Sequence, residues 1–345
     1  MRALTCPAGY ADAMGGDGIP ALEVRDLHVE FRSRQHHVRA VNGLSYRLRR
    51  GETLAIVGES GSGKSVAAHA VMGTLMASSA RVTRGEVWLG GQELTRLPER
   101  ERRRFRGRRM AMIFQDPLAA LNPLFTVQNQ IGEMFRFHAG ASRRGAEAAA
   151  VELMNRVGIP GARGGAYPHE FSGGMRQRIM IAMALALEPD VLIADEPTSG
   201  LDVTVQAQVM DLLGSMQRER GTGLVLITHD LGVVAEAADR MLVMYAGRAV
   251  EEGPVGALYR RAAHPYTAGL MTSLPRLDRP EAELRPIPGG PPDMSMLPAG
   301  CPFHPRCPLA RPVCETDTPA LREVVPGRRS ACHFAGQLLE GAGGG

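Results

Sequence analysis

The sequence has no apolar run long enough to cross a bilayer. The longest, Ile179 to Leu187, stops at Glu188, far short of the ~18 residues that a membrane helix needs. A basic-then-apolar export segment is also missing at the N-terminus, so the expected location is the cytosol. A strong excess of one charge is absent too. The net charge of +4 and pI near 9.0 suit a protein working beside an anionic membrane face but are too slight to argue for nucleic acid. Cysteine is scarce, with five residues, and four of them fall in the last 45 positions. What the chain does have is 44% hydrophobic and 22% charged residues in a length of 345. That excludes wholesale disorder and, at ~150 residues per domain, leaves room for about two units.

Residues 1–20 mix Gly, Ala and Asp without periodicity and are expected to form a disordered leader, within which Met14 is an alternative start and Cys6 is incidental. From Leu22 to Phe31 apolar and polar residues alternate, as in a half-exposed antiparallel strand. Three later runs, Thr53 to Val57, Val191 to Ala194 and Leu224 to Thr228, are short and continuously apolar, as in parallel strands buried on both faces. Helical stretches lie between them, which gives an α/β core. After Tyr266 the composition changes: 14 of the 24 prolines lie from Pro265 onward. Such a tail is expected to be rich in loops and held by something other than a large core. The closing Gly-Ala-Gly-Gly-Gly is expected to be unstructured.

Gly58-Glu-Ser-Gly-Ser-Gly63-Lys64-Ser65 fits G-x-x-x-x-G-K-[ST], with an apolar strand before it and a helical stretch after it. Glycines at this spacing let successive backbone N–H groups converge on phosphate oxygens, and the helix N-terminus adds its dipole. The expected nucleotide contacts are Gly58, Ser60, Gly61, Ser62, Gly63, Lys64, Ser65 and Val66. Lys64 would reach the β- and γ-phosphates, and the Ser65 hydroxyl would coordinate Mg²⁺. The run ending in Asp195-Glu196 places carboxylates at the carboxyl edge of a parallel sheet, where such folds bind ligands. Asp195 is expected in the Mg²⁺ shell, with Glu196 polarising the attacking water.

Phe171-Ser172-Gly173-Gly174-Met175 then opens a helix, a second set of backbone donors for phosphate. With this motif the chain resembles the ATP-binding cassette (ABC) ATPases over about residues 22–260. The resemblance implies a RecA-like P-loop NTPase fold with an antiparallel β edge and a helical subdomain at about 116–188. It also implies a head-to-tail pair of cassettes, in which each signature (here Ser172, Gly173 and Gly174) closes on the ATP of the other subunit. It assigns Gln115 to the loop that senses γ-phosphate and Mg²⁺ and contacts membrane subunits. Asp202 falls in the loop that couples the two sites, His229 is the γ-phosphate switch, and Phe31 stacks on adenine. Met175 stands where most signatures carry glutamine, and Gly200 where alanine is common; neither change removes a phosphate donor, metal ligand or base.

Tyr167-Pro168-His169-Glu170, Val243-Met-Tyr245-Ala-Gly-Arg, His264-Pro-Tyr266-Thr, Ile287-Pro-Gly-Gly-Pro-Pro292 and Gly300-Cys-Pro-Phe-His-Pro-Arg-Cys307 narrow the resemblance to ATPase subunits of oligopeptide and dipeptide importers. The domains implied are a cassette at 21–265 and an importer-type extension at 266–345. The partners implied are a second, different ATPase subunit, two permease subunits and an extracytoplasmic binding protein, with this chain peripheral at the inner membrane face. The segment Leu121–Val127 joins Gln115 as the expected mechanical contact. A nickel or small-solute importer is the alternative within transport. A soluble ABC ATPase of DNA repair or translation is the alternative outside it, disfavoured by the short stretch between Gln115 and Ser172.

The spacing of Cys301, Cys307, Cys314 and Cys332 is looser than the common C-x2-C zinc pattern. A reducing cytosol disfavours disulfides, and four free thiols would leave the tail with little to hold it. Thiolates around one metal centre would staple it, and four cysteines suit either Zn²⁺ or [4Fe–4S]. The resemblance points to [4Fe–4S]. His304 and His333 are expected to face solvent.

Overall fold

The three continuously apolar runs are buried on both faces in a computed structural model that describes residues 18–32, 37–75, 79–273 and 286–340. The expectations for Cys6, Met14 and the closing glycine run fall outside the described residues. Along the chain the strands are β1 (Leu22–Arg32), β2 (His37–Leu48), β3 (Thr53–Val57), β4 (Ala80–Leu89), β5 (Gln92–Glu93), β6 (Met110–Ile113), β7 (Val191–Asp195), β8 (Gly223–Ile227), β9 (Arg240–Tyr245), β10 (Arg248–Pro254), β11 (Arg322–Val325) and β12 (Arg328–Ser330).

They form two sheets. The smaller, ordered β2-β1-β4-β5, is antiparallel. The larger runs β11-β12-β10-β9-β3-β8-β7-β6, and its pairings from β9 to β6 are parallel. Leu22, Val24, Leu27 and Val29 of β1 are all buried in the core beneath the antiparallel sheet, so one face of the strand is closed off, as its alternation implies.

The expected helical stretch holds helices Pro117–Ala120, Val127–Ala139, Arg143–Arg156 and Gly173–Leu185. Each starts at a residue whose side chain accepts a backbone N–H: Asp116, Thr126, Ser142 and Ser172 in turn. Caps of this kind satisfy donors that the first helical turn leaves free. The apolar faces of these helices share a core with β7 and β8.

The tail departs from expectation. It is rich in loops, but β12 pairs with β10 and β11 with β12, so it extends the main sheet. Tyr266, Met271 and Phe303 are buried in one cluster with Ala55, Val57, Val243 and Tyr245 of the parallel strands. The tail therefore has apolar burial to hold it, and a metal staple is not its sole support. The strands were hidden because Arg322–Val325 and Arg328–Ser330 are short and charged, and β11 lies at the sheet edge, where such strands are common.

Candidate functional site

The phosphate loop begins where β3 ends. Gly58 has φ 155, and a Cβ there would lie 2.2 Å from the Met244 carbonyl oxygen; Gly63 has φ 100, and its Cβ would lie 2.2 Å from the Ala40 oxygen. Neither position has room for a side chain, so the loop is clamped between β2 and β9. Helix Lys64–Met72 follows at once, with its N-terminal N–H groups directed at the loop. Lys64 Nζ donates to the Gly58 and Glu59 carbonyls at 2.7 and 2.9 Å. Burial pushes its pKa down, while Glu196, Asp195 and Glu59 pull the other way. Lys64 is also the only lysine in the chain, a signal that composition carried and motif spacing did not.

The Ser65 hydroxyl donates to Asp195 Oδ1 at 3.0 Å. Asp195 ends β7 and is 2% exposed; burial raises its pKa against the lowering effect of that hydrogen bond. Glu196 follows at φ 46, in the left-handed region. The Gln115 amide donates to Glu196 Oε2 at 3.0 Å, and His229 Nδ1 lies 3.3 Å from Oε1. Gln115 lies two residues past β6 and His229 two past β8. Lys64, Ser65, Gln115, Asp195, Glu196 and His229 thus gather at the carboxyl ends of neighbouring strands, where open α/β sheets bind ligands. Gln115 is bonded to Glu196, while Ser65 pairs with Asp195.

Ser172, Gly173 and Gly174 stand apart. No hydrogen bond among the described residues joins them to the phosphate loop. Ser172 caps helix Gly173–Leu185 by accepting from Met175 N, and Ser172 and Gly173 are exposed. A Cβ on Gly174 would lie 2.6 Å from Val205 Cγ1, which ties the signature to helix Val203–Arg220. Asp202 caps that helix, and Val203 beside it is 84% exposed. Phe31, half-buried on β1, pairs with Val38 and Ala80. Val66 is partly buried and packs against the core.

All four tail cysteines line one apolar cavity, bordered also by His304 and His333. The histidines thus do not simply face solvent: His304 Nδ1 lies 3.0 Å from the Cys301 oxygen, and His333 Nε2 lies 2.9 Å from the Asp317 oxygen. Burial raises the Cys301 and Cys307 thiols and pushes Cys332 up to about 11, with smaller contributions from neighbouring sulfurs. Among the described residues no group of three or more His, Cys, Asp or Glu is arranged to hold a metal ion. The thiols share a cavity without forming a ligand set. Motif reading also missed the contact of Glu59 with the tail, whose partner lies 247 residues away.

Residues 41–199 match the protein family described as "ABC transporter", and residues 250–314 match "Oligopeptide/dipeptide transporter, C-terminal region". The oligopeptide transport ATP-binding protein OppD of Salmonella typhimurium is 51% identical over 313 residues, covering 90% of this chain and 92% of that protein. The dipeptide transport ATP-binding protein DppD of Bacillus subtilis is 51% identical over 323 residues, covering 92% and 94%. Among solved structures, the dimeric post-hydrolysis state of the ATP-binding cassette MJ0796 bound to ADP and Pi aligns with a TM-score of 0.62 at 26% identity, covering 68% of this chain and 98% of that one.

Proposed function

The chain belongs to the ABC transporter ATP-binding proteins of oligopeptide and dipeptide importers, and from that premise we propose that ATP hydrolysis at its Lys64–Glu196 site drives peptide import through a membrane complex. The observation that carries the reading is the placement of Glu196 between Gln115 and His229, one residue from the Ser65–Asp195 pair.

The loop from Gly58 to Ser65 cradles the phosphates with backbone N–H groups, and Lys64 leaves its carbonyl partners to reach the β- and γ-phosphates. The Ser65 hydroxyl and Asp195 carboxylate are adjacent hard oxygens that suit Mg²⁺, which when bound neutralises charge across the β- and γ-phosphates. Glu196 accepts a proton from the water that attacks the γ-phosphorus. The bond from that phosphorus to the bridging oxygen breaks, and ADP leaves. Gln115 and His229 hold the carboxylate toward that water. Phe31 is assigned to the adenine ring.

Ser172, Gly173 and Gly174 are assigned to the ATP of a second cassette, because Ser172 and Gly173 are exposed and no hydrogen bond among the described residues joins the three to this chain's own loop. The exposed Asp202 loop reaches the same partner. That partner is a different ATPase subunit, and two permeases and an extracytoplasmic binding protein complete the importer. No helix among the described residues is long and apolar enough to cross a membrane. Leu118, Leu124 and Phe125, 56%, 79% and 53% exposed in the segment that follows Gln115, form the seat for the permeases and hold the chain at the inner membrane face. The chain divides into a cassette at 21–265 and an importer-type extension from 266.

The cysteine cavity is the remaining assignment. Cys301, Cys307, Cys314 and Cys332 share that cavity without standing as a ligand set, so a [4Fe–4S] cluster, which four cysteines can hold, would require them to close on it. Cys301, Cys307, Cys314 and Cys332 would be its ligands and would fasten the tail. Anaerobically purified protein is expected to carry about four irons with matching acid-labile sulfide. Zinc alone, or no metal, would contradict this.

The ATPase reading is tested with Glu196→Gln in the purified complex. Turnover is expected to fall by about a hundredfold or more, with ATP still bound and the cassettes held closed. Undiminished turnover would remove Glu196 from the base role.

A further inference from the structure

A carboxylate in a phosphate loop works against its purpose. Glu59 is the second residue of that loop, and its charge is close enough to act on Lys64. Lys64 is the only lysine of the chain and the loop's one cation. An anionic triphosphate entering here meets a negative charge that, within the motif, only Lys64 could offset, and Lys64 is itself needed for the phosphates.

The tail supplies the offset. Arg306, in the short turn His304–Arg306, places both terminal nitrogens on the Glu59 carboxylate, Nη1 to Oε2 at 2.7 Å and Nη2 to Oε1 at 2.9 Å. This two-point fork is the strong geometry for an arginine–carboxylate pair. The guanidinium is itself fixed. Its Nε donates to the Pro288 oxygen at 2.8 Å, its Nη2 to the Gly289 oxygen at 3.3 Å, and its Nη1 to the Tyr245 hydroxyl at 3.4 Å. Arg306 is 9% exposed, so water screens the pair weakly. A second tail residue holds the same loop residue: the Glu59 backbone N–H donates to the Tyr266 hydroxyl at 2.8 Å. Tyr266 packs against Phe303, at 5.3 Å between ring centres. Glu59 is thus held at its N–H by Tyr266, at its carbonyl by Lys64 and at its carboxylate by Arg306.

We propose that Arg306 is a positioning residue for nucleotide: it neutralises Glu59 and turns that side chain out of the phosphate path, so that the tail sets the loop's affinity for ATP. This rests on the loop being the ATP site, as proposed above. Cys307, which lines the cysteine cavity, is the next residue in the chain, so the hold on the loop starts at the rim of that cavity.

The test is steady-state ATPase activity of the assembled complex. Arg306→Gln is expected to raise the KM for ATP about tenfold, equivalent to about 1.4 kcal/mol, with kcat held within about twofold. Arg306→Lys, which keeps the charge but loses the fork, should fall in between. The decisive arm is Glu59→Gln/Arg306→Gln, in which the phosphate loop itself has no carboxylate left to repel phosphate; its KM should return to within about threefold of the parent. A latch that only holds the tail would leave KM unchanged in Arg306→Gln, or make the double variant no better than the single, and either result overturns the proposal. Should Arg306→Gln fail to fold, Glu59→Gln alone decides. It leaves the Arg306 charge uncompensated and should lower the KM; an unchanged or higher value overturns the proposal. Absence of ATP hydrolysis in the parent complex would instead strike at the ATPase reading.

Discussion

Burial decides what His264 can do. It is 2% exposed, its Nδ1 accepts the Tyr266 backbone N–H at 3.1 Å, and burial pushes its pKa down to about 3. Below about pH 6.5 the unfolded chain takes up a proton that the folded chain refuses until about pH 3. Stability from this group is therefore complete above pH 6.5 and falls with acid, by up to about 1.4 kcal/mol per pH unit. Glu251 accepts the His264 backbone N–H at 3.0 Å and has its own pKa raised by burial, and it is present alike in the parent and in a variant at position 264. His264→Asn keeps an acceptor for the helix cap but cannot charge. Its unfolding temperature should fall less steeply than the parent's between pH 6.5 and 4; parallel slopes would contradict the assignment. At this scale the sequence showed the residues that stand in contiguous motifs. Lys64, Ser65, Asp195 and Glu196 were legible because the chemistry fixes their spacing. Glu59 looked like a free position of the loop, because the arginine that gives it meaning lies 247 residues on.

The parallel strands were legible as elements because burial on both faces leaves an unbroken apolar run, as in Leu54 to Val57 and Val191 to Ala194. β12 was not, because its place in the sheet depends on one side chain finding one buried partner. Arg328 Nη2 reaches Glu251 Oε1 at 2.8 Å, and Glu251 is fully buried. Glu251 also accepts the Ala263 N–H at 2.7 Å, and the Ser330 hydroxyl donates to the Ala263 oxygen at 2.9 Å. Removing one partner of a buried pair strands the other charge, which typically costs about 3–5 kcal/mol. Arg328→Met should therefore destabilise the chain by that order and make the tail the first region cut in limited proteolysis. Glu251→Gln/Arg328→Met should recover part of the loss. Unchanged protease resistance in the single variant would mean that β12 is held by other contacts.

At the scale of the whole molecule the chain carries two half-sites that do not meet. Its phosphate loop and Glu196 lie on one sheet edge, while Ser172, Gly173 and the Asp202 loop stay exposed. This chain and a second cassette facing head to tail would bring the halves together, and ATP bound between them would stabilise the closed pair and no other state. In the proposed importer hydrolysis would then remove that stabilisation, and permeases seated at Leu118, Leu124 and Phe125 would follow the opening. The tail adds a hold on the loop through Arg306 and Tyr266 that neither half-site requires by itself. The claim that joins these scales is that chemistry at Glu196 powers peptide movement. It is tested most directly by uptake of a labelled oligopeptide into proteoliposomes holding the complete importer, with ATP supplied on the cassette side. Parent protein should accumulate peptide, and Glu196→Gln should bind ATP yet accumulate none above the ATP-free background. Peptide uptake by the Glu196→Gln complex at the parent rate would contradict the account.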